Sequence, residues 1–177
     1  MFVWVGINVE DQLKEVRMAV DSVFEKIDIS NVTCQLPLHI SLKISFEIEN
    51  ELFESVLTDI LDIYNAQKTF EIKIKGIEKH ENIEWIRMYS NEHLEALATS
   101  LNMMLKDKYG IPLHEYDLDF IFHTTLFMDD DAKKINEACD LLGNPELPEA
   151  LVADTFVIGT SENGENGTYR VYKTINI

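Results

Sequence analysis

The chain has little cysteine: Cys34 and Cys139 are the only two in 177 residues. That excludes a disulfide framework and the cysteine spacing of a structural zinc site, so both are read as free thiols in a reducing compartment. Basic residues are also scarce, with 15 Lys and Arg against 32 Asp and Glu and a net charge of −17. A protein that grips many phosphates of a long nucleic acid needs a basic stripe. None is present, since Lys73, Lys75 and the Lys133–Lys134 pair are each surrounded by acidic residues. Extended duplex binding is thereby excluded, whereas a local cationic site inside an acidic protein is not. No apolar run approaches the roughly 20 residues that cross a bilayer. The opening residues MFVWVGINVEDQL lack a basic region and turn acidic at Glu10, so neither a signal peptide nor a membrane span is expected and a cytoplasmic location is.

What is present is the pattern of a globular protein, 46% hydrophobic, and 177 residues suffice for one domain with a sizeable core. Strands are expected over 2–9, 38–48, 69–79, 82–90 and 119–128, with a closing hairpin from 151–160 and 168–176 around SENGENG. Helices are expected over 10–26, 50–65 and 91–109 from apolar residues at helical spacing, the last stopped by Gly110 and Pro112. A further helix runs from the Asp129–Asp131 cap to about Leu142. Strands and helices mix into an α+β fold spanning 1–177 as a single bilobal domain. Each half carries a strand, a helix and then paired strands, which suggests a duplication about a pseudo-twofold axis.

Histidine is rare, at five copies, yet two fall in the same context. His39-Ile40-Ser41-Leu42 and His123-Thr124-Thr125-Leu126 both read His-x-hydroxyl-Leu, and both lie in strand-like runs, LHISLKISF and DFIFHTTLFM. Residues i and i+2 of a strand share a face, so each copy offers an imidazole beside a hydroxyl. Two imidazoles supply a general base and a general acid, and two hydroxyls supply donors for phosphate oxygens. Strict alternation would also set Lys43 beside Ser41 and Phe127 beside Thr125, with Thr124 on the opposite face. His80, His93 and His114 lack this context, and no third ligand stands at metal spacing from His114 and Glu115. No metal and no cofactor are expected.

The paired motif resembles that of the two-histidine phosphoesterases, which include RNA 2′,5′-ligase-like proteins and 2′,3′-cyclic nucleotide phosphodiesterases. The order of strands, helices and motifs carries the resemblance along nearly the whole chain. One departure is that family members often have a proline directly before each histidine, where this chain has Leu38 and Phe122. The resemblance implies two small antiparallel sheets facing each other across a cleft, helices outside, each sheet contributing one motif. It implies a phosphodiesterase acting on a 2′,3′-cyclic phosphate or a 2′–5′ bond, with His39 and His123 catalytic and Ser41 and Thr125 holding the non-bridging oxygens. RNA 2′,5′-ligation at the same site and a non-catalytic nucleotide-binding module remain as alternatives. Lys43 is a candidate for added charge, Trp85, Tyr89 and Phe127 are candidates for stacking a base, and Arg170 and Tyr172, on one face of the last strand, are candidates to reach the cleft as substrate contacts. The expected partner is a small nucleotide or an RNA 3′ end, with no membrane and no second chain. The pH–rate limbs are expected to straddle about 6.5.

Overall fold

Both motif strands are edge strands. The computed structural model describes residues 1–30 and 32–177, except the side chains of Val32 and Cys34; the expectation for Cys34 lies outside the described residues. In chain order the elements are β1 (Phe2–Asn8), α1 (Lys14–Phe24), β2 (His39–Glu47), α2 (Phe53–Asn65), β3 (Phe70–His80), β4 (Ile83–Met88), α3 (Glu92–Tyr109), the single turn α4 (Glu115–Leu118), β5 (His123–Met128), α5 (Ala132–Leu142), β6 (Ala150–Ala153), β7 (Thr155–Ser161) and β8 (Arg170–Asn176). The strands form two four-stranded antiparallel sheets, β2-β1-β7-β8 and β5-β4-β3-β6. The motif strand begins each order, and β2 and β5 approach one another across the seam. Position by position, β2-β1-β7-β8 maps onto β5-β4-β3-β6, which is the expected pseudo-twofold arrangement.

The helices cover the outer faces. Along α3, Leu94, Leu97, Leu101 and Leu105 recur at helical spacing, and all four are buried. Its start is capped by Asn91, whose side chain accepts from the Leu94 N–H at 2.9 Å. Gly110, at φ 69°, supplies the left-handed residue that ends it. On α2, Tyr64 stacks on Phe156 of β7 with centroids 4.2 Å apart, and Val56 and Ile60 are fully buried. Burying such a side chain contributes about 1.5–3 kcal/mol, so the sheets owe their attachment to these helices. No helix among the described residues is long and apolar enough to cross a membrane.

Two strands differ from expectation. Residues 119–122 lie outside the ladder, and β5 begins at His123 itself. The preceding turn, α4, is capped by the His114 and Asp117 side chains. The run 151–160 is interrupted at Asp154: β6 pairs with β3, β7 pairs with β1, and the chain changes sheets between them. The segment LVADTFVIG contains no proline, and its β-forming residues conceal the break.

Candidate active site

The two histidines are held in the same way. The Nδ1 of His39 lies 2.7 Å from the Pro37 carbonyl, and the Nδ1 of His123 lies 2.6 Å from the Ile121 carbonyl. A carbonyl only accepts, so Nδ1 carries the proton in each ring and Nε2 is left with its lone pair. Each ring also lies against a tryptophan: Trp4 of β1 for His39, with centroids 4.2 Å apart, and Trp85 of β4 for His123, 4.3 Å apart. His39 pairs across the ladder with Asn8, and Ser41 with Gly6. In the other sheet His123 pairs with Arg87, and Thr125 with Trp85. Imidazole and hydroxyl therefore share a face in both lobes, and Thr124 lies on the other face, buried beside Ile86.

Just past each hydroxyl the ladder slips. Gly6 faces Ser41 but Val5 faces Lys43; Trp85 faces Thr125 but Glu84 faces Phe127. A bulge of this kind puts two residues opposite one and inverts the alternation. Lys43 and Phe127 consequently turn to the helix-covered face, contrary to the expectation that they flank the site. Lys43, 3% exposed, forms an ion pair with the buried Asp117 carboxylate and donates to the Pro112 carbonyl at 3.3 Å. Phe127 is fully buried against Phe24 of α1, with centroids 5.5 Å apart. Tyr172 packs edge-on against Phe53 of α2, away from the cleft, because a third bulge falls beside it between Ile158 and Gly159. Trp85 does lie on the cleft face, but His80 (4.5 Å) and His123 are its diagonal neighbours on the two flanking strands.

A cavity of about 160 Å³ lies between the lobes, lined by His39 and Thr125 together with Gln35, Asn166 and Tyr169. Of the four motif side chains expected to bracket a phosphate, His39 and Thr125 line it, and His123 and Ser41 do not. The segment before β2 reaches across to the second lobe: Ser30 N–H donates to Asp129 at 2.8 Å, and the Thr33 hydroxyl donates to the Leu126 carbonyl at 3.0 Å. Arg170 donates to Gln35 at 2.9 Å on the rim. A larger cavity of about 550 Å³ lies between α3, β4 and residues 113–122, and neither histidine lines it. Among the described residues no group of three or more His, Cys, Asp or Glu side chains is placed to hold a metal ion. Trp4, Gln35, Asn166 and Tyr169 are additions to the residues expected from sequence. Only Trp4 had a readable signal there, being one of just two tryptophans, each on a strand of its own.

Burial governs the titration of both imidazoles. It lowers the pKa of His39 from 6.5 to about 4; the His123 and Arg17 charges add to the fall, while the Pro37 carbonyl and Glu10 oppose it. Burial likewise lowers His123, assisted by His80 and opposed by the Ile121 carbonyl. The resting site thus holds two neutral rings near pH 7. The absence of proline before His39 also has a structural counterpart: the Leu38 N–H, which proline would lack, donates to Glu10 at 2.6 Å. Arg17 braces the same carboxylate at 2.9 Å and donates to the Leu36 carbonyl at 2.6 Å.

No family model matches the sequence, and no curated protein does. Solved structures match along their whole length. Escherichia coli LigT complexed with 3′-AMP aligns with a TM-score of 0.67 and 16% identity, over 99% of this chain and 97% of that one. TT0787 of Thermus thermophilus gives 0.61 and 19%, over 99% and 97%, and a phosphoesterase gives 0.60 and 15%, over the same shares. The chain therefore shares the fold of these structures, two antiparallel sheets with helices outside, as the paired motif led one to expect. At these identities the likeness is one of fold, and the chemistry rests on the residues themselves.

Proposed function

We propose that the chain is a metal-independent phosphodiesterase acting on a 2′,3′-cyclic phosphate or a 2′–5′ phosphodiester of a nucleotide or RNA 3′ end, both lobes working as one domain and one chain. The observation that carries this reading is the mirrored treatment of the two motifs, each with Nδ1 committed to a backbone carbonyl and Nε2 free. Solved LigT complexes contain 3′-AMP and ATP, which supports a small nucleotide as the ligand here.

In this reading His39 is the general base. Its ring is the one pushed to about 4, so it is neutral at any working pH near 7 and takes a proton from the attacking water through Nε2. His123 is the general acid. An anionic phosphodiester entering between the rings favours protonation of its neighbour, and the protonated Nε2 then delivers that proton to the departing ribose oxygen. Ser41 and Thr125 donate their hydroxyls to the non-bridging oxygens as negative charge builds on them. Because both rings are lowered, the bell-shaped profile is displaced to the acid side of 6.5.

The test is turnover of a 2′,3′-cyclic nucleotide by the wild type and by His39→Ala, each with and without chelator. Turnover that persists in chelator and is lost in His39→Ala supports the reading. A folded His39→Ala protein working at the wild-type rate refutes it, and loss in chelator restored by a divalent ion transfers the chemistry to a metal.

A further inference from the structure

The chain has two tryptophans, and both lie against a motif histidine. We propose, resting on the reading of the site above, that Trp4 and Trp85 are its positioning residues: each indole face fixes the plane of one imidazole so that Nε2 points into the cleft. A hydrogen bond at Nδ1 pins one atom of a ring and leaves its plane free to swing. A flat partner against the ring removes that freedom, and bond and partner together leave one orientation.

The two lobes reach this arrangement by different routes, so it is not a by-product of the repeat. Trp85 is the direct cross-strand partner of Thr125, next to His123. The equivalent position in the first lobe is Gly6, the partner of Ser41. There the tryptophan comes from two residues earlier and extends over Gly6 to reach His39. The floor beneath it is made of glycine. A Cβ at residue 159 would lie 2.0 Å from the Trp4 Nε1, and one at residue 6 would lie 3.3 Å from the Trp4 ring. Neither indole N–H has a hydrogen-bond partner among the described residues, although both are buried. A leucine would fill a core without that penalty, so what the site uses is a flat aromatic face.

The indoles also keep water from one side of each imidazole, which bears on protonation. Attraction of an imidazolium to the indole face opposes this effect, but at a desolvated site it is worth about 1.5 pKa units, less than the fall of His39 to about 4. Removing the indole should therefore raise the histidine's pKa.

The experiment uses Trp4→Leu and Trp85→Leu, each with the Phe variant as conservative rescue, in the full chain. NMR titration of the imidazole C–H signals should show the His39 midpoint rising from about 4 toward about 6.5 in Trp4→Leu, with His123 unmoved; Trp85→Leu should do the converse. In turnover, kcat should fall about 10-fold or more with KM within about 3-fold, and Phe should restore most of it. A folded Trp4→Leu protein with an unchanged His39 midpoint and unchanged kcat overturns the proposal. If the Leu variants do not fold, Trp85→Phe leaves Trp4 as the sole tryptophan emitter. Its fluorescence should then be quenched as His39 becomes protonated, and a flat trace through that midpoint overturns the proposal. The titrations need no substrate, so failure of the hydrolytic reading and failure of the positioning role are seen separately.

Discussion

The two motif strands agree up to the bulge and part company after it. Before the bulge, both present a histidine, both commit Nδ1 to the carbonyl two residues back, and both set a hydroxyl on the cleft face. After it, the same strand position becomes a buried lysine paired with Asp117 in one lobe and a buried phenylalanine against Phe24 in the other. Half of each strand thus follows one pattern in both lobes, an imidazole and a hydroxyl on the face turned to the other sheet. The other half answers only to the local core, which accepts opposite chemistries. The bulge separates the two demands, and it turns the strand's next side chain away from the cleft.

The sharpest way to break that comparison is to truncate beyond the bulge. Phe127→Ala should destabilise the fold by about 3–5 kcal/mol, and Lys43→Ala by a similar amount, because it strands the buried Asp117 charge. Urea unfolding measures both, and the surviving folded protein should keep a near-normal kcat. A large loss of kcat without loss of stability would return either residue to the cleft. Truncation before the bulge should reverse the pattern. His39→Ala and His123→Ala should each lower kcat at least about 10²-fold with little change in stability. The double variant should be scarcely worse than the poorer single, since groups acting as a unit are not additive. Ser41→Ala and Thr125→Ala should cost about 10-fold to 10³-fold in kcat, and a twofold effect would mean that the hydroxyl does not meet the phosphate.

A further effect concerns acid. His39 titrates near 6.5 when unfolded and at about 4 when folded, so between those values the unfolded chain binds more protons. Stability should therefore be undiminished above 6.5, fall as pH drops through this window and level off below about 4. His39→Gln should flatten that part of the pH–stability curve. A curve unchanged by the substitution would show that the ring is more hydrated than its packing on Trp4 implies.

Sequence made the cleft-facing half of each strand legible and the core-facing half illegible, for a specific reason. The i, i+2 rule holds for His39 with Ser41 and for His123 with Thr125 because no bulge intervenes. It fails one step further, at Lys43 and Phe127, because a single inserted residue reverses the face and leaves no mark in LHISLKISF or FHTTLFM. The helices were readable from their apolar spacing, and Gly110 marked the end of α3. The break at Asp154 was hidden by continuous β-forming residues. Trp4 escaped notice because its role depends on Gly6 beside it and Gly159 on another strand, and the second of these is a partner that sequence distance conceals.

The change of sheet at Asp154 has a consequence for how the molecule comes into being. The second lobe is built from one uninterrupted stretch, residues 70–153, whereas the first joins residues 2–47 to residues 155–176. A ribosome releasing the chain in order can let the His123 lobe assemble early, while the His39 lobe waits for its last two strands. Until then β1 has a vacant edge where β7 belongs, an invitation to pair with a neighbouring nascent chain. The cleft forms last, so a ribosome-bound chain that stops short of residue 155 should have a folded half and no working site.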